Sequence, residues 1–349
     1  MELHLNTYGS YIRKKDGLFE VSVENKKVKI SPEKISSIII SNAVSITSDV
    51  IHLAMNYNID IVFLDDFGDP YGRVWYPKLG STTLIRRKQL EMIETYVGLK
   101  FIKNYLLIKN MNQYRFLKQL ISKREGLIGE FDNNLSQMKK HSLSIYNSEG
   151  TINSISGSLM GWEGAVSKNY FNTLSKLLPS KHRFHGRSSR PAKDPFNAFL
   201  NYGYGLLYSR VEKALIIAGL DPYLGLLHTD NYNKKSFVFD FIEPYRIFVE
   251  EPTIYVFSRS KFKAEYVEEV HQGVTLSENG KKFFVPLLLE HFDVKIRYQN
   301  KNRKRIDQIQ IDAHSFANFL INKKANYLEA TVERKLKYFL MTEENESVE

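Results

Sequence analysis

Hydrophobic and polar positions alternate on a short period at the start of the chain and on a longer one afterwards. Up to about residue 78 the apolar residues come in brief runs broken by turn signals such as Asp16-Gly17 and Glu24-Asn25. Val21-Ser-Val-Glu24 and Val28-Lys-Ile30 alternate as half-buried strands do. Ile35 to Ile40 reads as a further strand, and Asp60 to Leu64 as a buried one. Between them, Ser48 or Asp49 can cap a short helix through Val50 to Met55. The acids Asp65, Asp66 and Asp69 are of metal-ligating type, but their Gly and Pro neighbours make the segment a turn first. From Ser81 the helical period takes over: Leu90, Ile93, Glu94, Val97 and Phe101 fall on one i, i+3, i+4 face, continued by Leu106 and Leu107. The pattern predicts an α+β chain: a small β-rich N-terminal domain (1–78), a linker (79–84), a larger all-α domain (85–342) and an acidic tail (343–349).

Charge and composition narrow the function. The 349 residues carry a net charge of +10 with a pI near 9.3, which favours a polyanionic partner, nucleic acid or an anionic surface. Without cysteine, neither a disulfide framework nor a thiolate metal site is possible. The start, Met1-Glu-Leu-His-Leu5, lacks the basic and apolar regions of a signal peptide, and no apolar run is long enough to span a bilayer. The expectation is a cytoplasmic protein with no membrane association. The densest basic stretch, 181–193, holds Lys181, Arg183, Arg187, Arg190 and Lys193 with no acid among them. With its Gly, Ser and Pro it reads as a mobile loop suited to gripping phosphates. Arg246 is a further candidate for DNA contact. Basic residues along the first helices, Lys109 among them, read mostly as a solvated face. A second basic run closes at Lys301 to Arg305.

Candidate chemistry gathers in 225–246. His228 ends an apolar run, a polar turn follows, and a short β-like or buried run from Ser236 delivers Asp240 and Glu243 three residues apart. One imidazole and two carboxylates suit a hard divalent ion such as Mn²⁺ or Mg²⁺. The same spacing also fits an acidic helix cap with a carboxylate three residues on, and Pro244 fits a first helical turn. Upstream, Glu163 lies among Trp162, Met160 and small residues. There it is either a costly buried carboxylate that needs a partner or an exposed residue of an amphipathic helix.

Five segments in order resemble a known family: Gly161-Trp-Glu-Gly-Ala165, Arg190 to Leu200, Gly203 to Tyr208, Gly219 to His228, and Phe239 to Arg246. They are similar to the CRISPR-associated integrases, the larger of the two core spacer-acquisition proteins ("Cas one"), also described as metal-dependent DNA endonucleases. The resemblance implies Mn²⁺ or Mg²⁺ held by Glu163, His228 and Glu243, with Asp240 as a neighbour or auxiliary ligand. It also implies double-stranded DNA fragments and CRISPR repeat DNA as substrates. The implied partners are a second copy, joined through the N-terminal domain, and a small ferredoxin-like protein ("Cas two"). A plain nuclease and a non-catalytic DNA-binding scaffold are the alternatives.

Overall fold

The computed structural model describes residues 1–341 except 25, 75–81, 128, 190, 228–233 and 322–326. The strands and helices of its first part are β1 (Glu2–Leu5), β2 (Ser10–Lys15), β3 (Leu18–Val23), β4 (Lys26–Ile30), β5 (Ser37–Ile40), β6 (Val44–Ile46), α1 (Ser48–Asn56), β7 (Asp60–Leu64) and β8 (Pro70–Val74). Then come α2 (Thr82–Met92), α3 (Tyr96–Ser122), α4 (Asp132–Asn147), α5 (Ile152–Leu177), α6 (Pro195–Ile217), α7 (Ser236–Phe241) and α8 (Ile247–Ser258). The chain continues through β9 (Val267–Val270), β10 (Gly273–Leu276), α9 (Glu278–Asp293), β11 (Lys295–Tyr298), β12 (Lys301–Lys304), α10 (Asp307–Leu320) and α11 (Tyr327–Met341). The α+β class and the order, strands first and helices after, are as expected. Two hairpins, β9–β10 and β11–β12, interrupt the helical part. No helix among the described residues is long and apolar enough to cross a membrane.

The chain forms two compact units. The first comprises residues 1–80, 188–210 and 262–290. One sheet runs β1-β5-β7-β8, parallel except for β8; the other runs β4-β3-β2-β6, with β6 parallel to β2. Ile12, Phe19, Ile38, Val50 and Ile61 are fully buried in the core of this unit. The expected alternation fails at one strand: Val28, on edge strand β4, is 57% exposed. Glu20 on β3 is buried instead, because Arg13 on β2 lies opposite and donates to it through Nε at 2.7 Å. The acids after β7 form a turn, with Asp65 Oδ1 accepting from the N–H groups of Phe67 and Asp69. Gly205 on α6 explains how a distant segment joins this unit. A Cβ there would lie 1.8 Å from the Gly68 carbonyl oxygen, so only glycine permits the approach.

The second unit comprises residues 81–187, 211–261 and 291–349, with α3 packed against α4, α5 and α8. The apolar face from Leu90 to Phe101 is not continuous. Helix α2 stops at Met92, whose carbonyl accepts from both the N–H and the hydroxyl of Thr95, and α3 starts afresh. Leu90 is therefore 56% exposed. The Ser236 run is a helix, α7, and not a β-like element. Phe237 and Phe241, one turn apart, both bury against Phe101, and Phe237 also packs on Phe316.

Candidate active site

Three elements of the second unit converge on one buried cation. Helix α3 supplies Lys109, α5 supplies Glu163, and a 3₁₀ turn at Glu243–Tyr245 supplies Glu243. Lys109 Nζ is ion-paired with Glu163 Oε1 and lies 2.6 Å from Glu243 Oε2. Ser167, one turn beyond Glu163 on α5, donates to the same Oε1 at 2.7 Å. Arg246, one turn beyond Glu243, donates to Glu243 Oε1 through Nε at 2.9 Å and sits 2.7 Å from it through Nη2. Two carboxylates thus face two cations in a pocket where every charge has a partner.

The backbone positions these groups for local reasons. Helix α5 begins with a reciprocal capping box between Thr151 and Ser154, which fixes its start and hence the phase of Glu163. Pro244 sits in the first turn of the 3₁₀ element, where its missing N–H is no loss. Asn112 on α3 donates to the Pro244 carbonyl at 3.0 Å, and the Tyr245 hydroxyl donates to Asp312 Oδ2 at 2.8 Å. The turn carrying Glu243 is therefore held from two sides.

Burial orders the electrostatics. Burial alone would raise Glu243, but the Arg246 and Lys109 charges and their hydrogen bonds hold its pKa at about 2. Glu163 is also lowered: burial and the Glu243 charge oppose, and Lys109 and Ser167 prevail. Lys109 moves the other way, raised by both carboxylates against its own desolvation. All three groups are charged across the neutral range. Glu163 is 24% exposed at its side chain and Glu243 only 3%, so the site opens on the α5 side. Gly157, Gly161 and Gly164 fall on the outer face of α5, turned away from Glu163; they are exposed, and a Cβ on any of them would meet nothing within 4 Å.

Two hard oxygen donors from separate elements, disposed around one positive charge, form a donor set suited to a small divalent ion. Glu243 Oε2 supports this fit, being buried with no hydrogen bond beyond its ion contact with Lys109. His228 lies outside the described residues, though the backbone just before it is fixed. Asp240 Oδ2 accepts from the N–H of Leu226 at 2.6 Å and from that of Leu227 at 3.2 Å. Fully buried, Asp240 acts within α7 as an anchor for the strand of chain leading to residue 228, not as a helix cap.

The basic stretch is distributed differently. Lys181, Arg183 and Arg187 are exposed, Arg190 lies outside the described residues, and Lys193 donates to the Gln272 carbonyl at 3.0 Å. The segment is pinned at three points. Ser175 exchanges two hydrogen bonds with the Phe184 backbone, Asn197 accepts from the Ser188 N–H, and Ala192 bridges to Val274. It is thus a fastened loop in place of the free one its composition suggested.

The profile of the family described as CRISPR associated protein Cas1 matches residues 3–290. A relative from Archaeoglobus fulgidus, named CRISPR-associated endonuclease Cas1 1, is 32% identical over 92% of this chain and 96% of its own. The chain belongs to the Cas1 family. Among solved structures, a casposase bound to integration product shares the fold with a TM-score of 0.82, at 22% identity over 95% of both chains. So does a chain of a Cas6-RT-Cas1–Cas2 complex, with a TM-score of 0.76 and 24% identity over 93% of this chain and 35% of that one.

Within this Cas1-family chain, sequence reasoning overlooked one member of the charged cluster. Lys109 is buried, 5% exposed, and does not belong to a solvated face. A signal was present: Ile102, Leu106, Lys109, Gln113 and Leu117 share the inward phase of α3, and a lysine at such a position needs buried partners. Arg246 is used on Glu243 and is only 17% exposed at its side chain.

Proposed function

We propose that this chain is a metal-dependent DNA endonuclease and strand-transfer integrase that inserts captured DNA fragments as spacers into a CRISPR array. The observation that carries the reading is the convergence of Glu163 and Glu243 on one cationic position, within a family whose relatives are named endonucleases. Glu163, Glu243 and His228 would hold Mn²⁺ or Mg²⁺. When bound, the ion would polarise a phosphoryl oxygen and stabilise the charge that develops during transfer. Arg246 keeps Glu243 ionised and aimed, Ser167 does the same for Glu163, and Asp240 sets the approach of the chain to His228. The exposed Lys181, Arg183 and Arg187 hold the DNA backbone without reading sequence. In strand transfer the 3′-hydroxyl oxygen of the fragment bonds to phosphorus, and the displaced bridging oxygen leaves with a proton. Water in place of the hydroxyl gives cleavage.

Residues 1–78 serve assembly in this reading, supporting a homodimer with one site per copy. The small partner is the Cas2-type protein, in line with the Cas1–Cas2 complex whose chain has this fold. Glu163→Ala, His228→Ala and Glu243→Ala should each abolish cleavage and joining while duplex binding persists. A donor with a free 3′-hydroxyl should join to repeat DNA, and a 3′-blocked donor should not. Joining by the blocked donor, or near-normal activity of any of the three variants in saturating Mn²⁺, refutes the assignment. Sedimentation of the full chain should give twice its 40.6 kDa.

A further inference from the structure

The hairpin β11–β12 carries charge for which the fold provides little use. From Lys295 to Lys304 its sequence is Lys-Ile-Arg-Tyr-Gln-Asn-Lys-Asn-Arg-Lys, and no acid lies between Asp293 and Asp307. A two-residue turn joins the strands, with Gln299 and Asn300 both at positive φ, +48° and +60°. That pairing matches the right-handed twist of a tight ribbon. The register sets Lys295 directly opposite Lys304 and Arg297 opposite Asn302 on one face. All four are exposed, as is Lys301, which stands opposite Tyr298 on the other face beside the tip. Like charges placed directly across a strand pair repel. Asp293 offsets one of them, lying 2.7 Å from Lys304. Lys295, Arg297 and Lys301 have no carboxylate partner among the described residues.

The opposite face fastens the ribbon to the catalytic turn. Tyr298 donates to Asp312 Oδ1 at 2.5 Å, and the other oxygen of the same carboxylate accepts from Tyr245, two residues past Glu243. At its base, Arg305 N–H donates to the Val294 carbonyl at 2.9 Å. The charged face is thus mounted rigidly on the element that carries Glu243.

We infer that the β11–β12 ribbon is a duplex-DNA contact surface of this enzyme, its Lys295 and Arg297 lying along the phosphate backbone and Lys301 reaching it from the tip. The inference rests on the proposed DNA chemistry, and it deepens it by naming where the duplex lies outside the charged cluster. Four residues of strand extend about 13 Å. That is long enough for its side chains to reach separate phosphates of one DNA strand. Backbone contacts of this kind position DNA without selecting sequence. Lysines on a strand edge also deter pairing with other chains, and the test separates that role from DNA binding.

The experiment compares the full chain with the triple variant Lys295→Gln, Arg297→Gln, Lys301→Gln, titrated against two unrelated 30-base-pair duplexes across 50–200 mM salt. Binding should weaken equally for both duplexes, by about tenfold or more at 0.1 M salt, and the log–log salt slope should flatten by about 2–3. A variant that melts like the parent and binds with unchanged slope overturns the inference and leaves the charges as edge protection. Lysine acetylation of the unaltered chain, read by mass spectrometry, needs no variant. Duplex should protect Lys295 and Lys301, and equal labelling with and without duplex overturns the proposal. If the parent chain binds DNA through the ribbon but neither cuts nor joins it in Mn²⁺, the proposed function fails and the contact surface stands.

Discussion

Replacing Lys109 with methionine tests the electrostatic account of the site most directly. Methionine keeps the length and apolar stem of the side chain and removes only the ammonium. Glu163 and Glu243 would then face one another without the charge that now separates them, although Arg246 would still cover Glu243 Oε1. Breaking a buried pair by deleting one partner costs about 3–5 kcal/mol, a large part of the roughly 5–15 kcal/mol that holds a typical domain folded. The pH dependence supplies a second magnitude. Glu243 falls from its ordinary 4.5 to about 2 in the folded chain, which corresponds to about 3 kcal/mol of stability. That contribution is present above pH 4.5 and is lost as pH falls towards 2. The Lys109→Met defect should therefore be largest near neutrality and shrink in acid. In EDTA at pH 7.5 the variant should melt several degrees below the parent. Mn²⁺ at a hundredfold excess over its dissociation constant would return about 2.7 kcal/mol to the variant. It should return less to the parent, where an ammonium already neutralises the carboxylates. Adding Glu163→Gln to the variant should recover part of the loss, giving a coupling measurable in a double-mutant cycle. A variant that melts with the parent in EDTA, or an equal Mn²⁺ shift in both, would refute the reasoning.

Other outcomes follow from separate groups. Asp240→Ala removes the acceptor for the Leu226 and Leu227 amides, so Mn²⁺ affinity measured by calorimetry should fall about 10–100-fold with duplex binding intact; an unchanged affinity would show that the loop holds itself. Burial pushes Asp312 up to about 6 despite hydrogen bonds from Tyr298 and Tyr245. Its stabilising effect is complete below its ordinary 3.8 and is lost as pH rises through 6. Asp312→Asn should therefore gain on the parent between pH 4 and 7 by about 2–3 kcal/mol, read as the difference in melting temperature; a shift of opposite sign would rule out a buried, raised carboxyl. Neutralising Lys181, Arg183 and Arg187 together should flatten the salt dependence of duplex binding by about 0.9 for each phosphate that these side chains neutralise in the parent, and an unchanged slope would remove this loop from the DNA surface.

The sequence made the fold legible wherever one rule governed a segment. The strands at 37–40 and 60–64 and the short helix before the second of them stand close to where apolar runs and turn residues put them. The failures came where tertiary partners outweighed local pattern. Ser236 to Phe241 is rich in the bulky residues of a strand, yet the four-residue spacing of Phe237 and Phe241 meets a wall of aromatic rings that only a helix can address. Glu20 hides because Arg13 pairs with it across two strands, a relation invisible along one strand. In the site, Glu163 and Glu243 were visible as family motifs, whereas Lys109 looked like one more surface lysine. Its role depends on residues 54 and 134 positions away, and local periodicity gives only its inward phase.

The open glycine face of α5 has a consequence for how this helix tolerates change. Gly157, Gly161 and Gly164 each forgo roughly 0.5–1 kcal/mol relative to alanine in a helix interior, and none is excused by crowding, since an added methyl group would touch nothing. The helix therefore sits below the stability its own backbone would allow, and three conservative changes would recover the deficit without a clash. A stabilised enzyme could be built by moving along this one face. Whether the same changes slow catalysis would then measure, in turnover lost per degree of melting gained, how far this bare stretch of backbone is an adaptation and how far an accident.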